Sequence, residues 1–475
     1  MKPEHPPVDA LHERRQLMER RWLVIRAQTT SLWRLAIPVV IAELGWMAMS
    51  VVDTKMVGRL SPLAIGSVGL GGIAYNAIVL FGMGLLLGMD ALVSQAFGAG
   101  NLPECQKVLH QGLFLAIGLT PPLMLLSWTL PYFLRIWHVD AQVVQACTPF
   151  IRTLSWSTLP LFFYGALRRY LQGMKIVKPV MFALLTANLV NWAGNWVFIY
   201  GHLGFEPHGI VGSAWSTLIS RIYMAAVLVV TILLRERARP TGLIRRWPAF
   251  DPARMRRLIR IGFPASLQIL LEVGAFSAAT VMAGSLKPVV LAAHQIALSC
   301  ASVSYMVPLG IAGATAVSVG HAIGRGDTQS ARRVGWLGIA SATLFMGFTG
   351  LAFVLAPHAI LRFYTSNLAV DAAGVPLLIL AAFFQLFDGV QTVTTGALRG
   401  MGNTQSSMLA NFISYWVLGL PLAWYLAFLR RWGAVGIWSG LSASLVVLAL
   451  ILVLVWSRRS QELFSRIPQV EELPV

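Results

Sequence analysis

The sequence predicts an all-α integral membrane protein. Twelve transmembrane helices form two six-helix lobes related by a pseudo-two-fold axis along the membrane normal. Three observations predict this. First, the 475 residues are 56% hydrophobic and 12% charged, with mean hydropathy +0.68; soluble domains carry about 25% charged residues. Apolar runs of about 20 residues, enough to cross about 30 Å of hydrocarbon, recur along nearly the whole length. Second, the halves are weak copies. Pro38, Gly58, Leu60, Pro62, Gly98 and Gly100 recur as Pro264, Gly284, Leu286, Pro288, Gly324 and Gly326, all at a shift of 226. Leu171-Gln172-Gly173-Met174 meets Leu398-Arg399-Gly400-Met401 at a shift of 227. Third, the one long polar interruption falls at the repeat boundary with six spans on either side, so both copies share one orientation.

The chain opens with a basic segment, 1–32, that carries Lys2, Arg14, Arg15, Arg20, Arg21 and Arg26. It shows no short apolar core followed by a small-residue cleavage site, so no cleaved signal peptide is expected. The N-lobe, 33–234, holds spans near 33–57, 64–96, 107–130, 143–167, 178–201 and 210–234. A linker, 235–257, follows; nine arginines lie from Arg235 to Arg260, with Pro240, Gly242, Pro248 and Pro252 among them. The C-lobe, 258–456, holds spans near 258–284, 289–322, 334–356, 375–398, 408–429 and 434–456, before a tail, 457–475. Glycine and proline are dense inside the spans. Membrane helices tolerate them because small residues allow close approach and neighbours satisfy freed carbonyls; Pro38 could also let the first span bend.

Charge placement orients the chain. The N-terminal segment, the linker, the turn with Arg168, Arg169, Lys175 and Lys178, and the turn with Arg325, Arg332 and Arg333 all fall on one side, which the positive-inside rule makes cytoplasmic. The net charge of +18 is therefore a topology signal. Nucleic acid is excluded as a partner, because no soluble segment is long enough to present a folded basic face. Cys105, Cys147 and Cys300 are widely spaced and read as ordinary thiols. No HExxH, GxSxG, Walker or CxxC pattern is present, so no enzyme chemistry and no cofactor is expected. Uphill work would then draw on an ion gradient, in which one charge crossing 100 mV carries about 2.3 kcal/mol.

Carboxylates inside the spans carry the chemistry. A charge at mid-bilayer costs about 2.5–3.5 kcal/mol on insertion scales and persists when it faces a cavity, a partner or a bound cation. Asp53 lies in the first span; Asn191 and Asn195, four apart, share a face of the fifth, with Asn188 on the same stripe. These oxygens could hold Na⁺ or a proton on Asp53, or simply glue helices. Glu272 shares a stripe with Gln268 and Thr280, and Asp388 one with Gln385, Gln391, Thr392 and Thr395. Neither of these two spans offers a cationic partner at the acid's level, which suits binding of H⁺, Na⁺ or a cationic substrate. All three acids break the repeat: Asp53 falls opposite Ala279, Glu272 opposite Trp46 and Asp388 opposite Leu161. Glu43 could face the cleft or lie at its edge. Asp90 reads as a helix-linking acid, and His294 as a proton relay or a packed histidine.

These residues resemble the multidrug and toxic compound extrusion (MATE) transporters, in their NorM branch. The resemblance covers all twelve spans and rests on Val52-Asp53-Thr54, Gln95 to Gly100, Asn191 to Gly201, Gly262-Phe263-Pro264 leading to Glu272, Ala292 to Gln295, Gly320 to Gly324, Asp388 to Gly400, and Tyr415-Trp416 with Gly419-Leu420-Pro421. It implies a V-shaped cleft between the lobes and antiport of cationic lipophilic drugs and dyes against Na⁺ or H⁺. Asp53, Asn191 and Asn195 would form an N-lobe cation or proton site, and Glu272 and Asp388 a C-lobe one that could take Na⁺. Glu43, Gln268, Gln385, His294, Tyr415 and Trp416 are candidates for the substrate cleft. Some relatives carry a tyrosine where this chain has Phe384, so the choice between Na⁺ and H⁺ stays open. A single chain in the inner (cytoplasmic) membrane, in contact with lipid, is the expected working unit. A flippase for a lipid-linked saccharide, a lipid-modifying enzyme and a passive channel remain alternatives. Both termini and the linker should be cytoplasmic: single cysteines placed in 235–257 should resist impermeant thiol reagents in whole cells, and labelling from outside would overturn the topology.

Overall fold

Satisfying every backbone N–H and C=O without water leaves helices as the spanning solution for such a chain. The computed structural model describes residues 8–136, 139–243 and 249–465, and among them there is no strand. Residues 1–7, linker residues 244–248 with Arg245 and Arg246, and tail residues 466–475 lie outside the described residues. Helices run α1 (Val8–Val57), α2 (Pro62–Leu86), α3 (Gly88–Gly98), α4 (Leu102–Ile136), α5 (Ala141–Ser155), α6 (Thr158–Gly173), α7 (Lys178–Tyr200) and α8 (Gly209–Ala238) in the first half. The second half holds α9 (Pro252–Gly284), α10 (Pro288–Gly324), α11 (Thr328–Leu355), α12 (Pro357–Tyr364), α13 (Leu368–Gly400), α14 (Gln405–Asn411), α15 (Leu420–Trp424) and α16 (Ala434–Ser465).

Eleven helical stretches among the described residues are long and apolar enough to cross a membrane. The expected fourth span is the exception. It is broken at Trp156-Ser157 into α5 and α6, of 15 and 16 residues. Side chains from other helices fill the break: Trp128 Nε1 donates to Ser155 Oγ at 2.8 Å and Arg221 Nη1 to Ser157 Oγ at 2.6 Å, while the Tyr75 and Thr158 hydroxyls lie 3.0 Å apart. The eleventh span is also irregular, with π-helical turns over Phe412–Gly419 and Tyr425–Leu429 flanking Pro421. Proline removes an N–H from the ladder, and wide turns are one way a helix absorbs that loss.

The repeat survives as contact geometry. Gly84 and Gly310, 226 apart, meet Ser266 and Val40, also 226 apart. A Cβ on Gly84 would stand 2.6 Å from Ser266 Cα, and one on Gly310 2.8 Å from Val40 Cα, so neither position admits a side chain. The same mirror relation holds lower down. A Cβ on Gly98 would reach 2.3 Å from the His321 carbonyl, and one on Gly324 2.1 Å from the Gln95 carbonyl. There Gln95 Nε2 donates to Gly400 O at 2.9 Å, and His321 Nε2 meets its counterpart Gly173 O at 2.6 Å. The first helix of each half crosses to the other half. Leu32, Leu35, Ala36 and Val39 of α1 lie in the core built by α10, α13 and α16, and Leu258 of α9 lies in the core of the first half.

Among the described residues, the side-chain hydrogen bonds and ion pairs that join the halves lie at the arginine-rich face, except that of Ser266 to Phe81 O, which lies near mid-span. The lobes are therefore closed at that face. Asp90 on α3 takes Arg169 of α6 at 3.3 Å and Arg399 of α13 at 3.2 Å, with its side chain only 3% exposed. It links helices as expected. Arg168 and Arg169 do not sit on an exposed turn as the sequence suggested. Helix α6 continues to Gly173, so both lie inside the fold, Arg168 against Glu43 of α1 and Arg169 against Asp90.

The described part of the linker is less free than its composition suggests. Glu236 accepts the N–H groups of Thr241, Gly242 and Leu243 at 2.9, 2.7 and 2.9 Å, while Gln106 of α4 donates to Thr241 Oγ1 at 2.6 Å. Arg254 forks onto Glu104 at 2.8 and 2.9 Å, so the first turn of α9 is tied to the N-lobe.

Since no Cβ fits at Gly98, Gly98→Val should leave the helices formed and hold the basic face apart. Spin labels at Lys107 and Gln329, on opposite halves, should report a longer distance in the variant than in its parent; equal distances would contradict the close-approach argument.

Candidate functional site

Two buried polar clusters stand out, one in each lobe. In the N-lobe, α1 brings Asp53 against α7 and α8. Asn195 Nδ2 donates to Asp53 Oδ1 at 2.6 Å and lies 3.2 Å from Asn191 Oδ1, and Thr217 Oγ1 of α8 stands 3.4 Å from Asp53 Oδ2 and 3.0 Å from Ser213 O. The four-residue spacing of Asn191 and Asn195 puts both on the face that meets α1. Asn195 Oδ1 and Asn191 Nδ2 are buried without a partner. Asn188, on the same stripe, turns away and donates to the carbonyls of Gly45 and Leu184 at 3.0 and 2.9 Å. It fastens α7 to α1 and takes no part in the cluster.

In the C-lobe, α9 supplies Glu272, and α13 supplies Asp388 and Gln391. Gln391 Nε2 donates to Asp388 Oδ1 at 3.1 Å and to Glu272 Oε1 at 3.3 Å, so one amide spans two carboxylates. It also lies 3.0 Å from Thr392 Oγ1, and its own Oε1 is buried without a partner. Tyr305 of α10 lies near this pair. Among the described residues no lysine, arginine or histidine pairs with Glu272, Asp388 or Asp53.

Two carboxylates and an unpaired amide oxygen form a hard-oxygen set of the kind that takes a small cation or a proton. No group of three or more His, Cys, Asp or Glu with metal-holding geometry occurs among the described residues. Phe384 itself is 2% exposed and packs against Phe276 and Trp438.

The cleft candidates divide. Gln268 lies one turn before Glu272 and is buried. Glu43 is not a free acid facing a cleft, because it pairs with Arg168. His294 is 1% exposed and held on both sides, by Thr280 Oγ1 at 3.0 Å and Trp438 Nε1 at 3.0 Å, which is the packed-histidine outcome. Gln385 faces α11, accepting from Thr349 Oγ1 at 2.9 Å. Tyr415 is sealed in the core of the second half, edge-on to Phe276, and so lines no open surface. Trp416, 40% exposed, donates from Nε1 to Leu271 O at 3.0 Å and covers α9 one residue from Glu272. Sequence reasoning missed Thr217, Tyr305 and Arg221. Arg221 could have been found, since a lone arginine inside an apolar span is a functional signal by itself.

Comparison with known proteins agrees with this architecture. The MatE family matches twice, at residues 38–197 and 264–425, the two starts standing 226 apart like the rest of the repeat. A probable multidrug resistance protein NorM of Mesorhizobium japonicum is 34% identical over 446 residues, 91% of this chain and 96% of that protein. The multidrug resistance protein NorM of Vibrio cholerae is 31% identical over 433 residues, 90% of this chain and 94% of that one. Among solved structures, the eukaryotic MATE transporter AtDTX14 superposes with TM-score 0.82 at 20% identity, covering 93% of this chain and 99% of its own. A multidrug resistance MATE family transporter of the MOP superfamily, in an outward-facing conformation, gives 0.84 at 19% identity, covering 92% and 97%. The last two comparisons speak to the fold; the family matches and the NorM identities carry the assignment. With one match in each lobe, the chain belongs to the MatE family of membrane transporters, in its NorM branch, and is not an enzyme.

Proposed function

We propose that the protein is a secondary active multidrug antiporter, exporting cationic lipophilic compounds in exchange for Na⁺ or H⁺. One observation carries this reading. Glu272 and Asp388 share a single amide deep in the C-lobe, with no basic residue among the described ones paired with either. Buried carboxylates left in that state need a proton, an inorganic cation or a cationic substrate, and such ligands can take each other's place. The NorM relatives are named for multidrug resistance, which agrees with such a cargo. Closure at the arginine-rich face then corresponds to the outward-open half of an alternating-access cycle in the inner membrane, with the single chain as the working unit. The flippase reading loses ground. A pyrophosphate would need several free cations, and Arg168, Arg169 and Arg399 are already taken by Glu43 and Asp90.

Dye efflux from proteoliposomes, with Na⁺ and H⁺ gradients imposed separately, tests the reading. Export driven by either gradient supports it, and export indifferent to both removes it. Asp53→Asn keeps a partner for Asn195 and Thr217 while deleting the charge. We expect normal insertion with efflux reduced about tenfold or more; near-normal efflux would return Asp53 to a structural role.

Glu272→Gln and Asp388→Asn should each abolish most ion-driven release in protein that elutes as folded. Groups of one site couple by about 0.5–3 kcal/mol. The double variant should therefore retain about tenfold more transport than the product of the two single losses. Simple multiplication of the losses would place the acids in separate sites.

A further inference from the structure

Where the lobes close, three arginines meet two carboxylates, and one positive charge is left over. Arg168 of α6 pairs with Glu43 of α1. Arg169 of α6 and Arg399 of α13 approach the same oxygen, Asp90 Oδ2, at 3.3 and 3.2 Å. Among the described residues no third carboxylate pairs with any of the three. None of the five side chains is more than 15% exposed, so the surplus is held largely out of water. An unbalanced charge is costly there.

The hydrogen bonding is unbalanced in the same sense. Nε of Arg168, of Arg169 and of Arg399 is buried without a partner; that of Arg399 stands near Asp90 but is not aligned to donate to it. Tyr164 and Gln172 lie one turn before and one turn after Arg168, so the three share a face of α6. The Tyr164 hydroxyl and Gln172 Nε2 are also buried without a partner. Gln172 is the repeat mate of Arg399, which carries this stripe to the axis where the halves meet. The idle atoms here can all donate. At the C-lobe acids the idle atom is an acceptor, Gln391 Oε1, as suits a cation.

We propose that the closed basic face holds a small monovalent anion, chloride in the cell, on Arg169 and Arg399 beside Gln172, and that its binding favours closure. Buried polar groups without partners call for a water or an ion. Water would satisfy an N–H but would leave the charge, whereas a halide does both. The surplus is a single charge, too little for a pyrophosphate. Arg399 comes from the other half, so an ion held by both guanidiniums is held only when the halves meet. A ligand that prefers one state draws the equilibrium toward it. The competing role is mechanical: the five side chains tie helices together, and the residual exposure of Arg169 and Arg399 lets solvent screen the surplus. That role predicts no chloride dependence.

The inference needs neither the antiport nor a coupling ion, so it can be tested without a gradient. Equilibrium binding of radioactive chloride to the purified full-length chain, with gluconate holding the ionic strength, should show about one saturable ion per chain. Arg399→Gln leaves two arginines for two acids and should weaken binding about tenfold or more. Glu43→Gln raises the surplus to two and should tighten binding about tenfold. Opposite signs in the two variants follow from charge balance; damage to a structural cluster would not produce them. Spin labels at Lys107 and Gln329 should shift toward the shorter distance when chloride replaces gluconate. No saturable chloride in the parent overturns the inference. So does unchanged binding in either variant, which decides the matter even if the other does not fold, or a label distance indifferent to chloride.

Discussion

Closure of the two lobes depends on a single buried carboxylate. Asp90 pairs at once with Arg169 from its own half and Arg399 from the other, one negative charge between two positive ones, all three nearly out of solvent. Two guanidiniums this close would repel without it, and stranding a buried charge by deleting its partner costs about 3–5 kcal/mol. The surrounding backbone contacts obey the pseudo-two-fold relation, with Gln95 on Gly400 matched by His321 on Gly173. The ionic contact does not. Position 316, the repeat partner of Asp90, is Ala316. If the basic face opens in the proposed exchange cycle, Asp90 would keep Arg169 while Arg399 passes to water, so one half would retain its charge balance and the other rely on solvent. A symmetric scaffold thus carries an asymmetric lock.

The same division runs through the interior. Glycines and the crossing helices repeat because both halves must approach the axis equally closely, and no substituent fits at Gly84, Gly98, Gly310 or Gly324. The ionisable residues escape that constraint, since the lobes need not bind the same ion. Asp53 sits among amides and a hydroxyl, whereas Glu272 and Asp388 face each other across an amide. Departures from the repeat therefore mark chemistry, and adherence to it marks packing.

The helical fold was legible because hydropathy and the 226-residue shift are both long-range averages that survive local irregularity. The break at Trp156-Ser157 was not, since apolar residues continue across it and the groups that stabilise it, Trp128 and Arg221, come from other helices. Arg168 and Arg169 read as turn residues because their partners, Glu43 and Asp90, lie 125 and 79 residues away and nothing local announces them. Asp53 with its asparagines was visible as a polar stripe. That Glu272 and Asp388 share a site rested on family resemblance, because spacing within one helix says nothing about contact between two. Tyr305 left no mark at all: a lone tyrosine in an apolar span is usually only packing.

Gln391 sharpens what the C-lobe acids can do. Its Nε2 carries two hydrogens and stands within hydrogen-bonding reach of three oxygens, on Asp388, Glu272 and Thr392. Its two hydrogens are shared among the three, while Gln391 Oε1 has no donor at all. A proton on either acid would add a donor, and a small cation between the acids would satisfy both carboxylates and the idle amide oxygen together. A bulky organic cation can balance the charge but cannot reach Oε1 in the same way. The two classes of ligand are therefore held by overlapping but unequal contacts. That inequality is what alternating access requires, because a ligand shifts a conformational equilibrium only by its difference in affinity for the two states.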